Sequence, residues 1–265
     1  MEILLDANDH PTVSTIHPYP KKLLAQSALP QHGWKGEAVQ DIRVRLESDE
    51  NFPCVFSKNA FKKGLILFHF AESTCPDGIA LLGEALREYV EISNNWDGTL
   101  ATSFPLIVTF SKEAINADTL KEHQRFGWDV LQKLHEEDHS KWPEDIALSP
   151  EQQTWSMCFA GMPIFCNMSS PRHNNRRSRN LGRHFKLVIN PRERFDVFAG
   201  ETPAGRKARA NVRDRVEKYD GMSHAPQLAS YQAGGLEWRQ YGLSDTNQST
   251  TSVCPFRSKS ERFGE

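Results

Sequence analysis

Between Trp155 and Arg192 the chain contains no Asp or Glu, yet it carries Arg172, Arg176, Arg177, Arg179, Arg183, Lys186 and Arg192, with His173 and His184 among them. The formal net charge of the whole protein is only −2, so the excess of cation is local. Any fold of this chain must bring counter-charge to the segment, because like charges gathered without an opposite one disfavour their own ionised forms. That counter-charge is either acids from elsewhere in the fold or a bound anion. The stretch from Ser170 to Gly182 (SPRHNNRRSRNLG) has the Asn, Ser and Arg content of a loop. Such loops, held between rigid elements, are where binding residues concentrate.

The flanking sequence supplies the rigid elements. Trp155 to Phe159 and Met162 to Cys166 are strand-like runs about Gly161, with the spacing of a hairpin, and Phe185 to Asn190 is another strand. Leu65 to Phe70 and Phe104 to Phe110 are continuous apolar runs, as expected of strands buried on both faces. Gln40 to Glu50, Pro76 to Ser93, Thr119 to Glu137 and Thr202 to Tyr219 have helical periodicity. Pro76 sits at a first helical turn, and Thr202 followed by Pro203 is an N-cap signal. Helices and strands mix without strict alternation, which predicts an α+β fold: a single domain whose mixed, mostly antiparallel sheet is flanked by helices. Residues 1–35 have the Pro content of an irregular arm, 36–257 form the domain, and 258–265 a loose tail.

Several function classes are disfavoured. With 32 basic and 34 acidic residues, the chain lacks the global charge of a non-specific nucleic-acid or membrane coat. No apolar run approaches the roughly 20 residues that span a bilayer, and the N-terminus lacks a signal-peptide pattern. The cysteines Cys54, Cys75, Cys158, Cys166 and Cys254 are odd in number and contain no CxxC pair, which suits a reducing cytoplasmic location better than a disulfide frame or a zinc knuckle. GxGxxG after a strand, GxxxxGK[ST], GxSxG and HExxH are all missing. His135 and His139 lie four apart, but a solvated helix end explains them more cheaply than a metal.

Three readings of the basic loop remain open on residue types alone. It is a surface loop paired with solvent anions or distant acids; or it contacts phosphate or RNA through the same arginines; or it binds a cofactor that is both metal and dianion. Haem, an iron with two propionates, meets the last description. His173 would then donate a ring nitrogen to iron, and arginine forks would clamp carboxylates. His224, two residues before a proline, is more economically a hydrogen-bonded structural residue, and Glu237–Trp238 could place a carboxylate under an aromatic lid.

The order of motifs adds to this. FPCVFSKNAFKKG from Phe52 to Gly64, W-x-x-x-F-x-G-x-P from Trp155 to Pro163, and N-x-x-S-P-x-H-x-x-R-x-S-R-N-L-G from Asn167 to Gly182 resemble the YqcI/YcgG family. So do R-x-R-x-x-x-Y-D-G from Arg213 to Gly221, H-x-P at His224, E-W-x-Q-Y from Glu237 to Tyr241, and C-P-F at Cys254. The similarity covers roughly residues 35–257, and it is the order of the motifs that is specific. Members of that family include haem-dependent N-hydroxylases of arginine and related guanidines in natural-product pathways of the guanitoxin and cycloserine type. The resemblance therefore implies a haem b monooxygenase forming an N–OH bond with O2 or peroxide, and an external electron donor if O2 is used. The alternative is a non-catalytic haem carrier or sensor. On this resemblance His173 is the first choice of iron ligand, with His224 and Cys254 as alternatives. Arg172, Arg176, Arg177, Arg183 and Asn167 would surround the cofactor, and Glu237 and Arg179 would serve a guanidine- or amine-bearing substrate. No nucleic acid or membrane partner is expected, and a homodimer is allowed.

Overall fold

A computed structural model of the chain describes residues 23–26, 28–228, 235–248 and 253–259. The sheet has five strands: β1 (Leu67–Ala71), β2 (Leu106–Phe110), β3 (Met157–Phe159), β4 (Met162–Ser169) and β5 (Lys186–Pro191), in the order β1-β2-β5-β4-β3. Only β1 and β2 are parallel; β2–β5, β5–β4 and β4–β3 are antiparallel. The α+β expectation, with a mixed and mostly antiparallel sheet flanked by helices, is met.

Parallel neighbours need a crossover, and α3 (Pro76–Asn94) supplies it between β1 and β2. The other helices are α1 (Gly33–Arg43), α2 (Val55–Lys62), α4 (Leu120–Glu137), α5 (Arg192–Ala199) and α6 (Pro203–Asp220). Thr119 caps α4 in a reciprocal box: its hydroxyl accepts the Glu122 amide at 3.2 Å while the Glu122 carboxylate accepts the Thr119 amide at 2.9 Å. Thr202 caps α6 as its sequence suggested, accepting the Gly205 amide at 3.0 Å.

Successive strand residues point to opposite faces, and each face has its own core. Leu106, Val108, Phe110, Leu187, Ile189, Ile164, Cys166 and Met168 face Leu82, Leu86, Tyr89 of α3 and Val130, Leu131, Leu134 of α4. On the other face Phe68 and Ile107 pack with Ile42, Leu46, Phe52, Leu181 and Tyr219. Each fully buried Leu, Ile or Phe stabilises by roughly 1.5–3 kcal/mol, so both layers hold the strand ends that carry the basic loop.

The structure departs from the sequence expectation at the first helix. The helix expected from Gln40 begins at Gly33 and continues past Arg43 as a π-helical turn, Val44–Ser48. A side chain at Gly36 would lie 2.4 Å from the Gln31 carbonyl carbon, so glycine there permits the chain to enter the helix tightly. The C-P-F segment is docked: Phe256 is fully buried against Trp155 and His135. Beyond it, the Lys259 amide donates to His135 Nε2 at 3.1 Å. His135 is buried inside α4 whereas His139 is exposed beyond its end, so the two share no helix face.

Candidate functional site

The loop between β4 and β5 closes one end of the sheet, and it is clasped by the segment 237–247. Tyr241, at the end of a 3-10 turn (Glu237–Gln240), accepts the Met168 amide with its carbonyl at 2.8 Å. The Leu243 carbonyl accepts His173 Nε2 at 2.9 Å and the Gln124 amide at 2.7 Å. The Ser244 carbonyl accepts Arg176 Nε at 2.7 Å. The Asp245 carboxylate then accepts three consecutive backbone amides, those of Asn174, Asn175 and Arg176, at 2.9–3.1 Å. These amides hold its pKa below the usual carboxylate value although burial opposes them.

The missing counter-charge is thus supplied by the fold itself. Arg183 meets Asp41 through two nitrogens and Glu37 through a third, all from α1. Arg172 reaches Asp118 at 3.4 Å, and Arg192 Nε lies 3.3 Å from Glu237. Asp220, at the end of α6, binds Ser178 through its amide and hydroxyl at 2.8 and 2.7 Å. Arg177 lies over the Tyr219 ring and donates to the Tyr219 carbonyl. Arg176, 1% exposed, is held by Ser244, Thr246 and Asn247. Of the arginines expected to hold propionates, Arg172 is the most loosely engaged. Arg179 differs from its neighbours: it donates Nη1–H to the Gln240 carbonyl at 3.3 Å and faces no carboxylate within ion-pair distance among the described residues. Burial, with Arg176 close by, pushes its pKa down to about 10.

Gly182 docks the loop onto α1. Its φ is +112°, and a Cβ there would sit 2.2 Å from Asp41 Cβ. Gly182→Ala is expected to lower stability by roughly 1–3 kcal/mol, measured by urea unfolding; an unchanged midpoint would show that α1 moves aside freely.

His173 is 2% exposed. A carbonyl can only accept, so Nε2 carries the proton toward Leu243 and Nδ1 keeps its lone pair. That Nδ1 is buried without a hydrogen-bond partner, and burial lowers the ring's pKa, which favours the neutral form. A neutral imidazole whose far N–H is fixed by a carbonyl is the arrangement metal-ligating histidines use. Among the described residues no group of three or more His, Cys, Asp or Glu could hold a bare ion. An iron porphyrin brings its own equatorial nitrogens and asks the protein for one axial donor. The orphaned lone pair of His173 fits that single demand.

The other expected site residues are dispersed. His224 is half exposed and bonded to Glu217. Cys254 is 1% exposed in the aromatic core. Asn167 lies on β4 with its buried side-chain oxygen unpartnered. Glu237, also 1% exposed, accepts the Ser156 and Tyr241 hydroxyls at 2.7 and 2.6 Å, beneath Trp155 and Trp128, which pack on Tyr241. Burial pushes its pKa up to about 7, against Arg192 and the two hydroxyl donors. The two catalytic candidates meet at one short turn, because Arg179 donates to the carbonyl of Gln240, three residues after Glu237.

One residue lay outside the sequence reading. His123, 5% exposed on α4, places Nδ1 2.7 Å from Ser170 Oγ, and the Ser170 carbonyl accepts the His173 amide at 3.2 Å. Its only sequence signal is a histidine at the buried face of an amphipathic helix.

The chain is 56% identical over 225 residues, 85% of its own length and 84% of the relative's, to DcsA of Streptomyces lavendulae, named as a proposed N(omega)-hydroxy-L-arginine synthase. It is 34% identical over 87% of its length to YcgG of Bacillus subtilis, and 30% identical over 87% to YqcI of the same organism, both named as uncharacterised; the alignments cover 90% and 91% of those chains. No solved structure matches. The YqcI/YcgG family model matches residues 42–257, which include the basic loop, its clasp and the buried Glu237, and the chain belongs to the YqcI/YcgG family.

Proposed function

We propose that this protein N-hydroxylates the guanidine group of arginine or a close relative, with haem b as its cofactor. The observation that carries the reading is the buried, unpartnered Nδ1 of His173 beside an Nε2–H fixed on the Leu243 carbonyl. The name of the Streptomyces relative supports the substrate class. When bound, haem supplies activation of O2 or peroxide, with electrons from an external donor in the O2 case.

The chain's own residues divide the remaining tasks. His173 would hold the iron through its Nδ1 lone pair, and the Leu243 carbonyl raises the basicity of that nitrogen by accepting from the other. Arg172, engaged among the described residues by an exposed Asp118, would be available to a propionate. Arg179 has fork donors to spare for the carboxylate of an amino-acid substrate. Glu237, with a pKa near neutrality, can hold or release a proton at its carboxyl oxygen and can attract a guanidinium. Among the described residues no helix is long and apolar enough to cross a membrane.

Haemin titrated into the purified protein should give a Soret band that shifts on adding L-arginine. The reduced form should take up CO, and turnover should yield arginine heavier by one oxygen. His173→Ala should abolish the saturable Soret change while the far-ultraviolet circular dichroism stays that of the parent. Absence of any haemin binding to the parent protein overturns the proposal. A six-coordinate ferrous form that refuses CO would turn it into a carrier or sensor.

A further inference from the structure

His173 is held at two places, its backbone and the tip of its ring, and α4 reaches both. At the backbone, the Ser170 carbonyl accepts the His173 amide at 3.2 Å, and the Ser170 hydroxyl oxygen accepts the Arg172 amide at 3.1 Å. Ser170 is 1% exposed, and His123 Nδ1, 2.7 Å from its hydroxyl, is the acceptor it faces among the described residues. The Arg172 amide can only donate, so the hydroxyl keeps its own proton for the Nδ1 lone pair of His123. The Ala117 carbonyl is a second hydrogen-bond partner of the His123 ring, as that tautomer requires. At the ring tip, the Leu243 carbonyl that accepts His173 Nε2 at 2.9 Å also accepts the Gln124 side-chain amide at 2.7 Å.

The two bracing residues are neighbours in sequence. Successive side chains on an α-helix diverge by about 100°, so residues 123 and 124 aim at different targets. His123 meets the neck of the basic loop, and Gln124 meets the segment that clasps it. Their direction is set by the Thr119–Glu122 capping box one turn earlier and by Val130, Leu131 and Leu134 in the core. His123 is 5% exposed, with the Phe185 ring edge-on at 5.7 Å. An apolar side chain would fill that space with no polar group to satisfy, so packing alone does not account for a histidine there.

We propose that His123 and Gln124 are positioning residues for the iron ligand. His123, acting through Ser170, sets where the His173 backbone stands. Gln124, acting through the Leu243 carbonyl, sets the tilt of the imidazole. The inference rests on the haem reading for what His173 binds, whereas the bracing itself is measurable in the haem-free protein. Neither residue needs to reach the cofactor: each fixes a group that His173 already touches.

The test follows solvent exchange of the His173 Nε2–H by NMR in the haem-free protein, with the resonance assigned by its loss in His173→Ala. His123→Leu and Gln124→Met each remove one brace at similar volume, and each should speed that exchange by about tenfold. Each should also weaken haemin binding by about tenfold, the low end of what losing an outer partner of a metal ligand costs. His123→Asn puts an acceptor oxygen near the place of Nδ1 and should recover most of both losses. A packing role predicts the reverse order, with His123→Leu above His123→Asn. If His123→Leu does not fold, Gln124→Met carries the test, because Gln124 is only half-buried. Unchanged exchange in His123→Leu and Gln124→Met, or a His123→Leu protein that binds haemin as well as His123→Asn, would overturn the proposal. A parent protein with a protected Nε2–H that binds no haemin would instead sink the haem reading and leave the bracing standing.

Discussion

Asp245→Ala is expected to destabilise the protein by about 3 kcal/mol and to release the basic loop. The carboxylate accepts the amides of Asn174, Asn175 and Arg176, and hydrogen bonds to a charged group are worth roughly 1.5–3 kcal/mol each, with incomplete additivity. Removing it also takes one of two nearby negative charges, Asp220 being the other, from Arg176, which is 1% exposed and cannot rehydrate in place. Asp245→Asn keeps an acceptor oxygen and should cost about 1 kcal/mol. The pH dependence has a definite sign. Asp245 has a folded pKa below its ordinary 3.8, so its contribution is present above that value and is lost as pH falls through the folded one. Urea unfolding at pH 7 and hydrogen exchange at residues 174–176 measure the effect. A loss under 1 kcal/mol with protected amides would mean that the Arg176 and His173 bonds hold the loop without Asp245. If His173 is the iron ligand, the alanine variant should also bind haemin more weakly, because the loop no longer fixes the imidazole.

How far the sequence carried the structure can be judged from single residues. Thr119 and Glu122, or Thr202 and Pro203, announce helix starts because caps are local chemistry. Leu106–Phe110 announces a central strand because both its faces are buried. The helix Arg192–Ala199 was not visible: eight residues directly after a strand, with four charges, give a period too short to recognise. The basic loop shows in composition that it lacks acids, and distant acids were one reading of it. Which acids answer it is another matter. Asp41 and Asp118 precede the segment, Asp220 and Asp245 follow it, and only the closed fold sets them beside Arg183, Arg172, Ser178 and Arg176. The same limit hid the Ser156–Glu237–Tyr241 network, since a Glu next to Trp238 looks alike whether exposed or buried. His173 stood out because it lies within an ordered set of motifs; its orphaned nitrogen became visible only once Leu243 was seen on the opposite side of the ring.

Lys186→Met should stabilise the protein, by about 3 kcal/mol at pH 6. Lysine in a strand run is expected to reach solvent, yet Lys186 is fully buried, and its ammonium donates to the His184 carbonyl at 3.0 Å. Across the sheet it stands beside Thr109 and Ser169, and the Thr109 hydroxyl is itself unpartnered. Burial, against the attraction of Asp41 and Glu37, pushes its pKa down from 10.5 to about 7. Between those values the unfolded chain binds more protons than the folded one, so stability rises with pH across that window. Below about pH 7 the whole cost of burying the ammonium is present. Methionine fills similar volume without charge, and Asp41 keeps its two-nitrogen contact with Arg183, so no acid is stranded. Glu237 works in the opposite sense: its pKa is raised from 4.5 to about 7, so its stabilising, protonated form is lost as pH rises across that lower window. The parent protein should therefore lose stability from these two groups up to about pH 7 and regain it above. Lys186→Met should remove the alkaline recovery, and Glu237→Gln should remove the acidic decline. Urea unfolding from pH 5 to 10 reads both limbs. A methionine variant less stable than its parent at pH 6 would mean that the buried ammonium is satisfied by more than the His184 carbonyl and the carboxylates of α1.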